Sequence, residues 1–188
     1  MLAILPRPIR RSDIVVGKWL ALALLLAVAA AVIAAVELAV VRAITGYLPP
    51  HPERAVPFLI GESIVLLTLG LFLSTRMAPI AGGIVAVVLF GVAWIAGIAQ
   101  SLGLVFHNTA LVHATTAVGL LVPTDGLWRA AAFNLEPAVL AAAALTDVDR
   151  QSPFLVGAPP PAAFLWWAAA WVAVVLTIAV LSFQRRDL

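Results

Sequence analysis

The chain has 188 residues, of which 64% are hydrophobic and 11% charged, with a mean hydropathy of +1.12. A soluble domain runs about 45–50% apolar and about 25% charged, so this composition excludes a water-soluble globule and defines an integral membrane protein. The net charge is only +2 and the basic residues sit at the ends of apolar runs; that placement reports membrane topology and excludes a nucleic-acid partner. The chain has no cysteine, which excludes a disulfide framework and thiolate metal sites.

In chain order, the first element is a basic, proline-broken segment, residues 1–17, followed at once by a long apolar run. A signal peptide has an apolar region of about 7–15 residues and then a cleavage site. Here WLALALLLAVAAAVIAAV continues apolar for 18 residues and further runs follow, so it is a span. Leu5, Ile9, Ile14 and Val15 supply an apolar turn or two, too little for an amphipathic surface anchor. Gly17-Lys18 lacks the upstream Gly and the following Ser or Thr of a phosphate-binding loop, having Ser12 and Trp19 in those places.

A bilayer crossing needs about 20 apolar residues. Four runs qualify, over about 18–41, 58–75, 79–99 and 162–183. No internal repeat relates them. Residues 101–122 are also membrane-length but carry His107, Asn108, His113, Thr115 and Thr116. With four spans, seven Lys or Arg fall on one side (Arg7, Arg10, Arg11, Lys18, Arg76, Arg185, Arg186) and four on the other (Arg42, Arg54, Arg129, Arg150). Lys and Arg favour the cytoplasmic side. A fifth span would carry Arg185 and Arg186 outside. The charge balance therefore favours four spans with both termini cytoplasmic. Residues 101–161 then form an outer segment, in which 101–122 is a helix lying in or dipping into the outer interface. The expected fold is all-α: a single polytopic membrane domain of four transmembrane helices plus this outer interfacial helical segment.

Within the outer segment, VPTDGLWR has turn chemistry, and Thr124 or Asp125 is placed to cap a short helix. Asp125 and Arg129 are four residues apart, the spacing of a structural ion pair. Pro137 suits the first turn of a helix over 135–145. A proline-rich stretch leads into the last span, where Trp166 and Trp167, like Trp19 on the first span, suit a membrane interface.

Glu37 and Glu62 fall near the outer ends of the first two spans. Ionisable groups at membrane depth are costly and often functional, so they are candidates for a translocation path; the alternative is a wet position among the headgroups. His107 and His113, six apart, do not share a helix face, and no His, Cys or carboxylate cluster has metal spacing. Gly82, Gly83, Gly91, Ala93 and Gly97 in the third span allow close helix packing. No nucleophile–base–acid arrangement is present, so no catalytic residue is assigned and the chain is not expected to be an enzyme.

Three stretches carry a family resemblance. LPRPIRRSDIVVGKWLAL resembles the segment before the third membrane helix of ABC-2 type transporter permeases, a Pro–hydrophobic–basic cluster followed by a short helix and Gly-Lys. LVPTDGLWRAAAFNLEP resembles the outer connection before that family's last helix, with Pro123, Asp125, Trp128 and Arg129 as its turn residues. SFQRRDL resembles the family's C-terminal end. The resemblance implies a permease subunit of an ATP-driven exporter in the cell membrane. Arg7, Pro8, Arg10, Arg11, Asp13, Gly17 and Lys18 would dock a separate ABC ATPase. ATP would bind that partner, and no cofactor would bind this chain. A second permease copy and membrane lipid are the other implied partners. The family has six membrane helices and this chain matches the last four; the first two are expected upstream of Met1, as in a partial or split permease. Two other classes compete: a non-transport membrane scaffold or assembly protein, and a membrane-embedded enzyme using Glu37, Glu62 and the histidines.

Overall fold

The computed structural model describes residues 11–137, 156 and 158–184. They form helices α1 (Arg11–Thr45), α2 (Pro52–Ser74), α3 (Pro79–Val105), α4 (Thr109–Leu121), α5 (Thr124–Leu135) and α6 (Ala162–Gln184), and no strand occurs among them. The four helices α1, α2, α3 and α6 are long and apolar enough to cross a membrane. The expected all-α fold with four membrane-length helices is what the chain adopts.

Local chemistry sets the helix ends. Pro52 and Pro79 open α2 and α3, where the fixed φ suits a first turn and the missing N–H costs nothing. Gly46, with φ 71°, closes α1, its N–H donating to the Arg42 carbonyl at 3.0 Å. Asn108 caps α4, its side chain accepting from the Leu111 N–H at 3.0 Å. Thr68, Thr115 and Thr177 each donate their hydroxyl to the carbonyl four residues back, which satisfies a polar group inside an apolar bundle.

Packing fixes the helix directions. Trp19 Nε1 donates to Thr68 Oγ1 at 2.9 Å, joining the start of α1 to the far part of α2, so these helices are antiparallel. Gly82, near the start of α3, lies against Leu73 and Ser74 at the end of α2, where a Cβ would come within 3.2 Å of the Ser74 nitrogen; α2 and α3 are antiparallel too. Phe58 and Phe164 share one cluster with Val65, Leu127 and Ala168, and Leu69 and Leu73 share the next with Trp171. Hence α6 runs parallel to α2. The described chain starts and ends at one end of the bundle, called proximal below; the α1–α2 connection marks the distal end.

The third span read from sequence stops at 99, whereas α3 continues to Val105 because nothing in Ser101–Val105 breaks a helix. The break comes at Phe106–Asn108, where His107 adopts φ 52°. α4 then folds back along α3: Gly103 lies against Leu111 and Val112, and Gln100 Nε2 donates to Thr116 Oγ1 at 2.7 Å. Thirteen residues carry α4 about 20 Å, to the level of Ala93, where Val122 joins the core with Leu69 and Leu73. The chain bends by 96° and α5 returns to the distal end. There the His51 N–H donates to the Asn134 carbonyl at 3.2 Å, and the Tyr47 hydroxyl to Leu135 at 2.9 Å. The helix expected over 135–145 lies mostly outside the described residues.

Candidate functional site

The break between α4 and α5 is the most polar place inside the bundle. Its cause is local. The ring of Pro123 disfavours helical geometry in the residue before it, and Val122 is extended at φ −134°, ψ 94°. The sequence reading has Thr124 or Asp125 as the cap of the next helix; instead Pro123 takes that position without a side-chain cap, because α5 begins one residue earlier than a Thr124 cap requires. Thr124 is fully buried and its hydroxyl has no hydrogen-bond partner among the described residues.

Asp125, in the first turn of α5, is set favourably against the helix dipole. Arg129 Nε donates to Asp125 Oδ2 at 2.8 Å, and the side chains are 19% and 10% exposed, so the pair is largely buried. Arg129 Nη2 also donates to the Gly97 carbonyl at 2.6 Å and to Ser101 Oγ at 3.1 Å, both on α3. The Asp125 carboxylate occupies the space that a Cβ on Gly97 would need, and the Phe164 ring the space beside Gly126. Two glycines therefore let α5 lie against α3 and α6. On the other side of the break, Trp167 and Trp171 donate their indole N–H groups to the carbonyls of Leu120 and Leu121 at 3.0 and 2.9 Å. Those are last-turn carbonyls of α4, which have no partner within their own helix.

Beside the break lies a cavity of about 600 Å³ between α3, α4, α5 and the start of α6. Gln100, Thr116, Asp125 and Arg129 provide its polar wall, and Leu120, Phe164 and Trp167 its apolar one.

The residues singled out from sequence are dispersed. Pro123, Asp125 and Arg129 converge at the break, with Trp128 half-buried on α5. Glu62 is half-buried on α2. Glu37 is exposed on α1. Trp19 meets Thr68, so 18 residues further on Glu37 comes level with Pro50, just before α2 begins at Pro52. The two glutamates are not brought together. Asp13, Gly17 and Lys18 belong to the first turns of α1, with Asp13 and Lys18 exposed. The remaining docking residues, Arg7, Pro8 and Arg10, lie outside the described residues, and of Arg11 only the helical backbone is described. Trp19, read as an interface anchor, also holds α1 to α2. No group of three or more His, Asp or Glu is placed to hold a metal ion among the described residues. Sequence reasoning missed Ser101 and Trp171 and read Trp167 as an interface residue only; the signal was two indoles four residues apart, on one face of the last span.

No family model, no curated protein and no solved structure matches this chain. Fold and site define a class: an all-helical protein of the multi-pass membrane type, with a two-helix insertion that carries a buried ion pair into the bundle.

Proposed function

We propose that the chain is a membrane-spanning permease subunit of an ABC-2 type exporter in the cell membrane, driven by a separate ATPase and working with a second permease copy. The observation that carries this reading is directional. α1 begins and α6 ends at the proximal end. Lys18 and Arg76 belong to that end, as do Arg185 and Arg186 in sequence. Basic residues favour the cytoplasmic side, so the proximal end is the cytoplasmic one and the α4–α5 pair enters from outside. The segments that resemble the permease family then take consistent places, with the docking stretch leading into α1 and the Pro123–Arg129 turn at the tip of the outer insertion.

The implied mechanism uses α1 as a rod. Its 35 residues run unbroken from Arg11 to Thr45, about 52 Å of helix. Its surface is mostly open to lipid, so few packed side chains resist its displacement. A push from the ATPase on the cytoplasmic segment would move α1 as a unit against α2, with the Trp19–Thr68 bond as the coupling point. ATP binds and is hydrolysed on the partner.

The first test is to sequence the DNA flanking the coding region and co-express any adjacent P-loop ATPase. Arg10→Glu with Arg11→Glu should weaken co-purification about tenfold or more while leaving thermal unfolding of the chain unchanged. An ATPase that binds both forms equally, or no ATPase that binds, sinks the proposal and leaves the scaffold reading.

A further inference from the structure

We infer that the cavity beside the α4–α5 break is a binding site for an acyl-ester lipid taken from the surrounding bilayer, with its ester carbonyl on Arg129 and its chain along Phe164 and Trp167. This does not rest on coupling to an ATPase.

The cavity volume of about 600 Å³ falls in the range of small-molecule sites, about 300–1,000 Å³, which are mostly apolar with a few polar groups that fix orientation. The polar groups here have defined vacancies. An arginine carries five N–H donors. Nε of Arg129 is used by Asp125, and the two donors of Nη2 by Gly97 and Ser101, but Nη1 has no partner among the described residues. Arg129 lines the cavity and Nη1 is not among the buried atoms left without a partner; a hydrogen bond given by a charged group is stronger than one between neutral groups, so an acceptor from the ligand is favoured at Nη1. The acceptor is uncharged for an electrostatic reason: Asp125 already neutralises the guanidinium at 2.8 Å, and an anionic head would meet that carboxylate. Of the neighbouring donors, Gln100 Nε2 gives one of its two hydrogens to Thr116 and Trp167 Nε1 its single one to Leu120. Trp167 and Phe164 therefore offer only their rings, which suit a hydrocarbon chain.

The bilayer is the source because the rim faces it. Leu120 and Trp167, which line the cavity, are 43% and 44% exposed, and on a helix bundle of membrane class such surfaces meet lipid. An acyl chain can enter between them sideways, without passing through water.

The experiment uses the full chain in phosphatidylcholine vesicles containing a small fraction of phosphatidylcholine with a photoreactive group on one acyl chain. Cross-links are mapped by mass spectrometry after illumination. Labelling is expected at Ala163 and Phe164 in addition to the outer faces of α1 and α3. Gly119 lines the cavity, and a Cβ there meets nothing within 4 Å, so Gly119→Leu fills the site without moving backbone. It should cut labelling at Ala163 and Phe164 at least fivefold, leave labelling of Val32 and Ile84 unchanged, and not lower the melting temperature. Competition on the unaltered protein tests the head group. An ether-linked analogue of the same chain length should displace the probe about tenfold less well than the ester, the effect of losing one hydrogen bond to a charged donor. Cavity labelling that survives Gly119→Leu, labelling confined to the outer faces, or equal competition by the ether lipid each overturns the inference. Stronger competition by the free fatty acid overturns the uncharged head.

Discussion

At the scale of single residues, the same substitution has opposite consequences at two glycines of the insertion. An alanine in a helix is favoured over glycine by roughly 1 kcal/mol. At Gly119 the added methyl meets open space, so Gly119→Ala should raise the melting temperature slightly. At Gly97 the methyl would overlap the Asp125 carboxylate. Overpacking of this kind costs about 1–3 kcal/mol, so Gly97→Ala should lower the melting temperature in detergent; an equal response at both positions would contradict the packing described. The ion pair itself is open to a stricter test. Arg129→Met leaves Asp125 buried without its partner, which costs about 3–5 kcal/mol. Adding Asp125→Leu removes the stranded charge, so the double variant should unfold at a higher temperature than Arg129→Met alone. If the double variant is the less stable of the two, the pair does not act as a unit. The i,i+4 spacing of Asp125 and Arg129 made the pair legible in the sequence. Its anchoring on Gly97 and Ser101 was not, because that contact joins residues 28 and 32 positions apart.

At the scale of elements, the α4–α5 insertion shows why residues 101–122 were hard to divide. They carry no formal charge and are apolar enough to read as one piece. Their division depends on a three-residue turn, in which His107 takes a left-handed conformation and Asn108 caps the next helix. Two of the polar residues that weakened the stretch as a lipid-facing span have partners inside the protein: Thr116 accepts from Gln100, and Thr115 is buried and bonded to its own helix; His107 and His113 are exposed. The far end of the insertion is tied down outside the spans, where Glu136 accepts from the Val156 N–H at 3.3 Å. Burial pushes the Glu136 carboxyl above its ordinary value, and the Val156 bond offsets part of that rise. A raised carboxyl contributes stability that is full below the unfolded value of about 4.3 and is lost as pH climbs through the folded value. Glu136→Gln keeps an acceptor for Val156 and removes the charge. It should therefore melt above the unaltered protein at neutral pH and converge with it near pH 4. Melting of Glu136→Gln below the unaltered protein at neutral pH would mean that the carboxylate, not the carboxylic acid, is the form the fold prefers.

At the scale of the whole molecule, α1 is about 52 Å long by residue count, against a hydrocarbon core of about 30 Å. With Trp19 level with Thr68, its overshoot divides about equally between the residues before Trp19 and those past Glu37. The directions of the helices, more than their number, decide the topology. If the bent α4–α5 pair counted as a span there would be five crossings, and the two described ends of the chain would lie on opposite sides. The contacts give the other answer, because α4 starts at the distal end of α3 and α5 finishes beside His51 at the distal end of α2. The native chain has no cysteine, so single cysteines report sidedness without background. With a membrane-impermeant thiol reagent on oriented vesicles, Ser12→Cys and Gln184→Cys should be labelled from one face, and Leu48→Cys and His107→Cys from the other. Asp125→Cys is a poor reporter, because that position is only 9% exposed and paired with Arg129. Labelling of Ser12→Cys and Gln184→Cys from opposite faces would make the insertion a crossing. It would also remove the directional basis for placing the Pro123–Arg129 turn at the outer side of an exporter. Labelling from the same face, with His107→Cys opposite, leaves the insertion entering and leaving through one face of the bilayer, so that the ion pair at its tip reaches the bundle interior without a fifth span.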